Sequence, residues 1–325
     1  MQKRRIVLPL LALALYALSC AVEAAEWPSR PVRIIVPFGA GSTPDIVARL
    51  LADVFQQQIP GSTFLVENKP GAGGNTGTEA VARALPDGAT LGVSIGGPLA
   101  INTLLSKDLR YDPARDLVAI SQIVTQPSVL VVSAALGVDS VAGLLALLRR
   151  DAQKLTYGSI GNGSLSHLAM EAILQRAGVE VVHLPMQGSP AAMTAILRND
   201  VQVACLPAIA VTQHAGSGQI RLLAVSTPRR SPFLPDLPTL KESGIDVEAD
   251  AWNGLIGPAG LPKDIVARLH EMTVKALARA DVRAKLAAQN MEPVGSTPEE
   301  FRALIETEIG RWASVIRASR TIKAN

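Results

Sequence analysis

The 325-residue chain has only two cysteines, Cys20 and Cys205, and four histidines. If Cys20 is lost with the N-terminal segment, the remaining thiol has no internal partner. Packed cores rather than disulfides must then stabilise the protein, and a chain this long can supply them. Cys205 lies in the apolar run Val201-Gln-Val-Ala-Cys-Leu206 and reads as a small core residue rather than a reactive thiol. His167, His183, His214 and His270 show no metal-ligand spacing, so no metal is expected. The glycine-rich stretch Asn68-Lys-Pro-Gly-Ala-Gly-Gly-Asn-Thr-Gly77 lacks the Gly-Lys-Ser/Thr ending of a P-loop. It does not have the form of a dinucleotide loop either, so no nucleotide or other cofactor is expected. Charge of one sign is also scarce, with 31 basic against 28 acidic residues. Without a basic block, nucleic acid and anionic membrane surfaces are poor partners. No catalytic residue is identified, and the adjacent acids Glu299 and Glu300 are better explained as the first turn of a helix.

Long hydrophobic runs are missing too, apart from one at the start. Met1 to Arg5 is basic, Ile6 to Leu18 is an apolar run of thirteen residues, and small residues then lead to Ala24-Ala25. This is the layout of a cleavable export signal, and the run falls short of the roughly 20 residues a membrane span needs. Residues 1–25 are expected to be removed, with cleavage after Ala24 or Ala25. A lipoprotein signal ending at Cys20 fits less well, because Ala17 stands where a leucine is expected. The mature chain, about 300 residues, has the length of two ordinary domains and a net charge of +1.

What the mature chain does contain is an alternation of short apolar runs with helical periodicity, the pattern of an α/β protein with mainly parallel sheets. Strands are expected at 32–36, 64–66, 89–94, 117–124, 128–133, 155–159, 181–184, 201–206, 220–226 and 251–257. Helical patterns cover 45–57, 78–84, 140–150, 166–177, 190–198, 262–279, 281–289 and 298–317. A proline-rich connector spans 228–238. Two sheets with the chain crossing between them twice imply two lobes. The first is discontinuous, residues 26–126 with 229–325, and the second is 127–228.

Two loops repeat one device. Pro37-Phe-Gly-Ala-Gly-Ser-Thr-Pro-Asp45 and Gly158-Ser-Ile-Gly-Asn-Gly-Ser-Leu-Ser-His167 each lie between a strand and a helix. Free N–H groups at such a helix start form an anion site, and ligands of open α/β sheets lie beyond the C-terminal ends of the strands. Thr43 can cap the first helix, and Ser164 or Ser166 the second. Phe38 offers an apolar wall, Asn75 reaches out from the third glycine loop, and His167 either contacts ligand or makes a structural hydrogen bond.

In order along the chain, these stretches resemble the solute-binding proteins of tripartite tricarboxylate transporters, the Bug family. The resemblance rests on Trp27-Pro-Ser-Arg-Pro-Val-Arg-Ile-Ile-Val-Pro-Phe38, Val66-Glu-Asn-Lys-Pro-Gly-Ala-Gly-Gly74, Gly161-Asn-Gly-Ser164, Trp252-Asn-Gly-Leu255 and Glu292-Pro-Val-Gly-Ser-Thr-Pro-Glu-Glu-Phe301. It implies a type II periplasmic binding-protein fold, two α/β lobes joined by a two-segment hinge. It implies a monomeric periplasmic receptor, not an enzyme, that captures a small organic acid or related metabolite for the transporter's membrane subunits. A ligand-presenting receptor for a sensor kinase is the alternative, and an enzyme of carboxylate metabolism ranks below it. By the same resemblance, ligand contact falls on Phe38, Gly41, Ser42, Asp45, Asn162, Gly163 and Ser164, and Asn75, His167 and Gln187 complete the candidate set. The chain departs from the family pattern at Ser42 (usually glycine), at Met186-Gln187 (usually an aromatic and a lysine) and at Gln202 (often an aspartate). These changes imply an altered polar environment for the ligand.

Overall fold

The computed structural model describes residues 27–186, 188–319 and 322. The expected export signal and Gln187 lie outside the described residues. The elements in chain order are β1 (Val32–Val36), α1 (Thr43–Gln58), β2 (Phe64–Asn68), α2 (Asn75–Ala82) and β3 (Thr90–Ile95). A π-helical turn, Gly97–Ile101, then runs into the short helix α3 (Asn102–Leu105), followed by α4 (Pro113–Asp116) and β4 (Leu117–Gln126). Next come β5 (Ser128–Ser133), α5 (Val141–Asp151), β6 (Thr156–Ser159), α6 (Leu165–Ala177), β7 (Val182–Pro185), α7 (Ser189–Leu197), β8 (Val203–Pro207), α8 (Ala208–Thr212) and β9 (Ile220–Val225). The chain closes with β10 (Ala251–Pro258), α9 (Lys263–Ala278), α10 (Ala280–Ala287), β11 (Glu292–Pro293) and α11 (Pro298–Ala318).

Two sheets result, one in the order β11-β4-β10-β3-β1-β2 and the other β7-β6-β8-β5-β9. Parallel pairs form where an intervening helix returns the chain: β1 with β2 and β3, and β6 with β7 and β8. The sheets are nevertheless mixed rather than mainly parallel. β5 enters the second sheet directly from the first and runs antiparallel to β8 and β9. β10 returns to the first sheet and runs antiparallel to β3 and β4. A strand that arrives from the other sheet comes in from the opposite end, which reverses its direction.

Helices cover both faces of each sheet. On the first, Val47, Leu51 and Phe55 of α1 pack with Ile34, Leu91 and residues of α9. On the second, Leu144 and Leu148 of α5 and Leu168 and Ile173 of α6 bury one face, while Met193 and Ile196 of α7 bury the other. Cys205 is fully buried there, and burial pushes its thiol up to about 12, which makes it an inert core residue.

Helix α11 belongs to both halves. Its start is fixed by reciprocal capping: Glu300 N–H donates to Thr297 Oγ1 (3.2 Å), and Thr297 N–H donates to the Glu300 carboxylate (2.9 Å). Phe301 meets Trp252 of the first sheet edge-on, with ring centroids 5.5 Å apart. A Cβ at Gly254 would lie 1.9 Å from the Phe301 ring, so only glycine lets that ring rest on β10. Three turns on, Trp312 is buried in the core of the second sheet, and Ile322 follows it there. The C-terminal region expected to lie wholly in the first lobe therefore reaches the second core. Among the described residues no helix is long and apolar enough to cross a membrane. Truncating Trp312 to alanine should cost about 3–5 kcal/mol, the usual loss for a buried tryptophan. Urea unfolding checks this, and a cost below about 1 kcal/mol would show that the second half of α11 contributes little to that core.

Candidate ligand-binding cleft

Between the sheets lies a cavity of about 280 Å³. Phe38, Thr43 and Gly96 wall it on one side and residues 160–166 on the other, while Gln126, Ser128, Asp250, Trp252 and Asn253 lie along its base. The strand-to-helix loops therefore face each other across it.

In the first loop, Pro37 follows β1 and α1 starts at Thr43, with Ser42 as N-cap and Pro44 in the first turn. The Ser42 hydroxyl is buried and makes no hydrogen bond among the described residues. The helix start has no side-chain cap, and Asp45 instead ties the helix to the preceding loop. Its carboxylate accepts from Gly41 N–H (2.9 Å), Arg49 Nε (3.1 Å) and Asn68 Nδ2 (2.9 Å). Asn68 Nδ2 also donates to Phe38 O (2.9 Å). Burial opposes the Asp45 charge, but the bonds from Arg49, Gly41 and Asn68 outweigh it and hold the carboxyl below the usual carboxylate range. Asp45 is thus tied beneath the loop, and of the expected contacts here only Phe38 reaches the cavity wall, joined by Thr43. Gly41, Ser42 and Asp45 shape the loop from behind.

The second loop opens α6, a helix of thirteen residues. Ser164 Oγ donates to Gly161 O (2.7 Å) and accepts from His167 N–H (3.3 Å), and Leu168 N–H donates to Ser164 O (3.0 Å). The first-turn N–H groups of Leu165 and Ser166 have no carbonyl within the helix to bond, and both residues line the cavity. These donors and the positive end of the helix dipole suit an anion. Asn162, Gly163 and Ser164 all lie on the wall. Gly163 has φ +69°, a left-handed conformation that favours glycine, where this loop meets Leu105 of α3.

His167 is 1% exposed. Its Nδ1 accepts from Gly163 N–H (3.1 Å), and its ring stacks on His183 at 3.8 Å between centroids. Burial, with His183 beside it, pushes His167 down to about 4. The neutral ring therefore props the loop from behind, the structural role of the two foreseen. Asn75 also works indirectly: its Oδ1 accepts from Asn102 Nδ2 (2.6 Å) and Tyr111 OH (3.1 Å). Asn102 and Gly73 reach the cavity while Asn75 faces a neighbouring depression. Gln202 lies away from the cleft, its Oε1 accepting from Thr156 N–H (2.8 Å) and its Nε2 donating to Asn199 O (2.7 Å). The departure at 202 therefore alters the edge of β6 and not the ligand's surroundings.

Residues 92–96, Gly-Val-Ser-Ile-Gly, have the spacing of a hydrolase nucleophile elbow. Ser94, however, is buried within β3 and hydrogen-bonded to the Thr78 hydroxyl (3.2 Å), not perched on a strand-to-helix turn. The base of the cavity escaped sequence reading. Gln126, Asp250 and Asn253 come from distant strands and linkers. The available signal was a polar side chain at the end of β4 and another inside the apolar strand β10.

The model of the tripartite tricarboxylate transporter family receptor, TctC, matches residues 47–320. The chain belongs to this family. Protein BugT of Bordetella pertussis is 34% identical over 307 residues, covering 94% of each chain. A solved R. palustris protein with adipate superposes with a TM-score of 0.82 at 33% identity, covering 90% of this chain and 98% of the other. MatC from Rhodopseudomonas palustris, with bound malate, gives 0.77 at 28% identity, covering 89% and 99%. The periplasmic binding protein BugD is similar as well, at 0.78 and 31%, covering 91% and 100%. Members of this receptor family are solute-binding proteins and not enzymes, and the two-lobed fold of this chain is the fold they share.

The histidine pair makes stability depend on pH. His167 and His183 both hold protons more weakly when folded than in the open chain. The unfolded chain thus binds more protons between about pH 6.5 and about 4 for His167, and stability falls as pH drops through that window. Asp250, pushed up to about 7 by burial and then by Glu248, acts in the opposite sense. Melting curves of wild type against His167→Asn should separate the two. The variant should lose less melting temperature than wild type between pH 7 and pH 4, and parallel curves would contradict the assignment.

Proposed function

We propose that the protein is a periplasmic receptor that captures a small carboxylate and delivers it to the membrane subunits of a tripartite tricarboxylate-type secondary transporter. The observation that carries this reading is the start of α6, where the N–H groups of Leu165 and Ser166 lie on a partly open cavity lined by residues of both lobes. A carboxylate placed there exchanges water for oriented donors in a site of lower dielectric, where each hydrogen bond counts for more. Phe38 and Trp252 supply apolar surface for the rest of the ligand. The adipate and malate held by structural neighbours support the same chemical class. Export by residues 1–25 and action as a monomer complete the proposal.

The reading predicts that the mature chain, stripped of carried-over ligand, gains melting temperature with rising concentration of a matching carboxylate. At 100 times Kd the gain corresponds to about 2.7 kcal/mol. Ser164→Leu should abolish that gain while leaving the melting temperature without ligand within a few degrees, since losing its cap bond to His167 N–H costs about 1 kcal/mol. Stabilisation by neutral compounds alone, across a panel of mono-, di- and tricarboxylates, would overturn the anion site. Uptake by cells carrying the membrane subunits, lost when the receptor is deleted, tests the transporter link.

A further inference from the structure

The base of the cavity differs from its walls. Two carboxyl groups, Asp250 and Glu308, line it, and the guanidinium of Arg311 with the carboxylate of Glu248 lies behind them. That cation is already engaged: Arg311 lies 2.9 Å from the Glu308 carboxylate and 3.3 Å from that of Glu248. Trp312 Nε1 donates to the other Glu308 oxygen at 2.8 Å. Asp250, which lines the cavity, has the Ser226 hydroxyl at 3.5 Å as its one hydrogen-bond partner among the described residues.

Two amide oxygens add to this surplus of acceptors. Asn253 and Gln126 are each 1% exposed and line the cavity, and neither Asn253 Oδ1 nor Gln126 Oε1 has a donor among the described residues. The Gln126 amide cannot simply be turned round, because its Nε2 donates to Gln289 O at 3.0 Å. Buried acceptors without donors are costly and call for a partner.

Building on the carboxylate reading of the walls, we propose that the base of the cavity is a subsite for a ligand ammonium group, with Asp250 as its counter-charge. The protein is then a receptor for an amino carboxylate rather than for a dicarboxylate. An ammonium carries three donors and one positive charge, and the charge matches Asp250 on a lining that holds no lysine or arginine among the described residues; the covered oxygens of Asn253 and Gln126 lie behind that surface. A second carboxylate would bring more acceptors and a like charge against Asp250. Burial and then Glu248 push the Asp250 carboxyl up to about 7 against the pull of Arg311, and an ammonium beside it would favour the charged form.

The test is calorimetric titration of the mature, ligand-stripped protein with matched pairs: succinate and 4-aminobutanoate, glutarate and 5-aminopentanoate, adipate and 6-aminohexanoate. The amino acid should bind at least about tenfold more tightly than its diacid in the best-binding pair. In Asp250→Asn that preference should fall to about threefold or less, with the melting temperature without ligand unchanged or raised. Tighter binding of the diacid in the best-binding wild-type pair overturns the ammonium subsite and leaves the carboxylate receptor standing; this comparison needs no variant. An amino preference that persists in a folded Asp250→Asn variant overturns the role of Asp250. Failure of every probe, with hexanoate and benzoate also silent, overturns both readings together.

Discussion

One residue, Pro127, separates the end of β4 from the start of β5, and that short crossing governs the geometry of the cleft. The two sheets cannot be held apart there, so Gln126 and Ser128, one on each side of the crossing, both lie at the base of the cavity. Proline has no N–H to satisfy in so tight a passage, and its carbonyl accepts from Ala208 N–H at 2.9 Å. Ser226, at the second crossing, is laced to the first: its hydroxyl accepts from Ser128 N–H at 3.2 Å, and its N–H donates to Ser128 O at 2.9 Å. The two connections thus form one bonded junction, and the loops that follow β1 and β6 stand at that same end of the strands.

This arrangement gives the cleft two different sides. On the loop side, glycines and the first turn of α6 offer backbone donors and no acidic group. At the junction, strand ends leave side-chain acceptors that the sheet ladders do not use, and a linker adds Asp250. Polarity along the cavity follows from topology: helix starts collect at the carboxyl ends of parallel strands, whereas the junction collects whatever the crossing segments carry.

Periodicity and turn chemistry made most of the architecture legible. The spacing of Val47, Leu50, Leu51 and Val54 marks α1 and its buried face, and Thr297-Pro-Glu-Glu300 marks the start of α11, which the structure caps as those residue types require. Strand direction was not legible, because apolar runs look alike in parallel and antiparallel pairs. Asn162, Gly163 and Ser164 could be placed on the wall because the strand–loop–helix device is local. Asp45 and His167 stand in the same loops yet point behind them, and no one-dimensional pattern distinguishes a side chain that faces a ligand from one that braces the loop. The segment 97–105 was read as no element at all, since a π-helical turn has no simple repeat. The base of the cavity was out of reach because Gln126, Asp250 and Asn253 meet only once both sheets are assembled.

The placement of the indoles has a practical side. The chain has three tryptophans. Trp27 stacks far from the cleft, edge-on to Phe64 with ring centroids 6.2 Å apart. Trp252 lines the cavity, and Trp312 donates to Glu308, a carboxyl on the same cavity wall. Two of the three emitting side chains therefore sense the electric field and hydration at the base of the cleft, while the third serves as an internal constant. The protein carries its own optical gauge of occupancy, readable without dye, label or engineered probe.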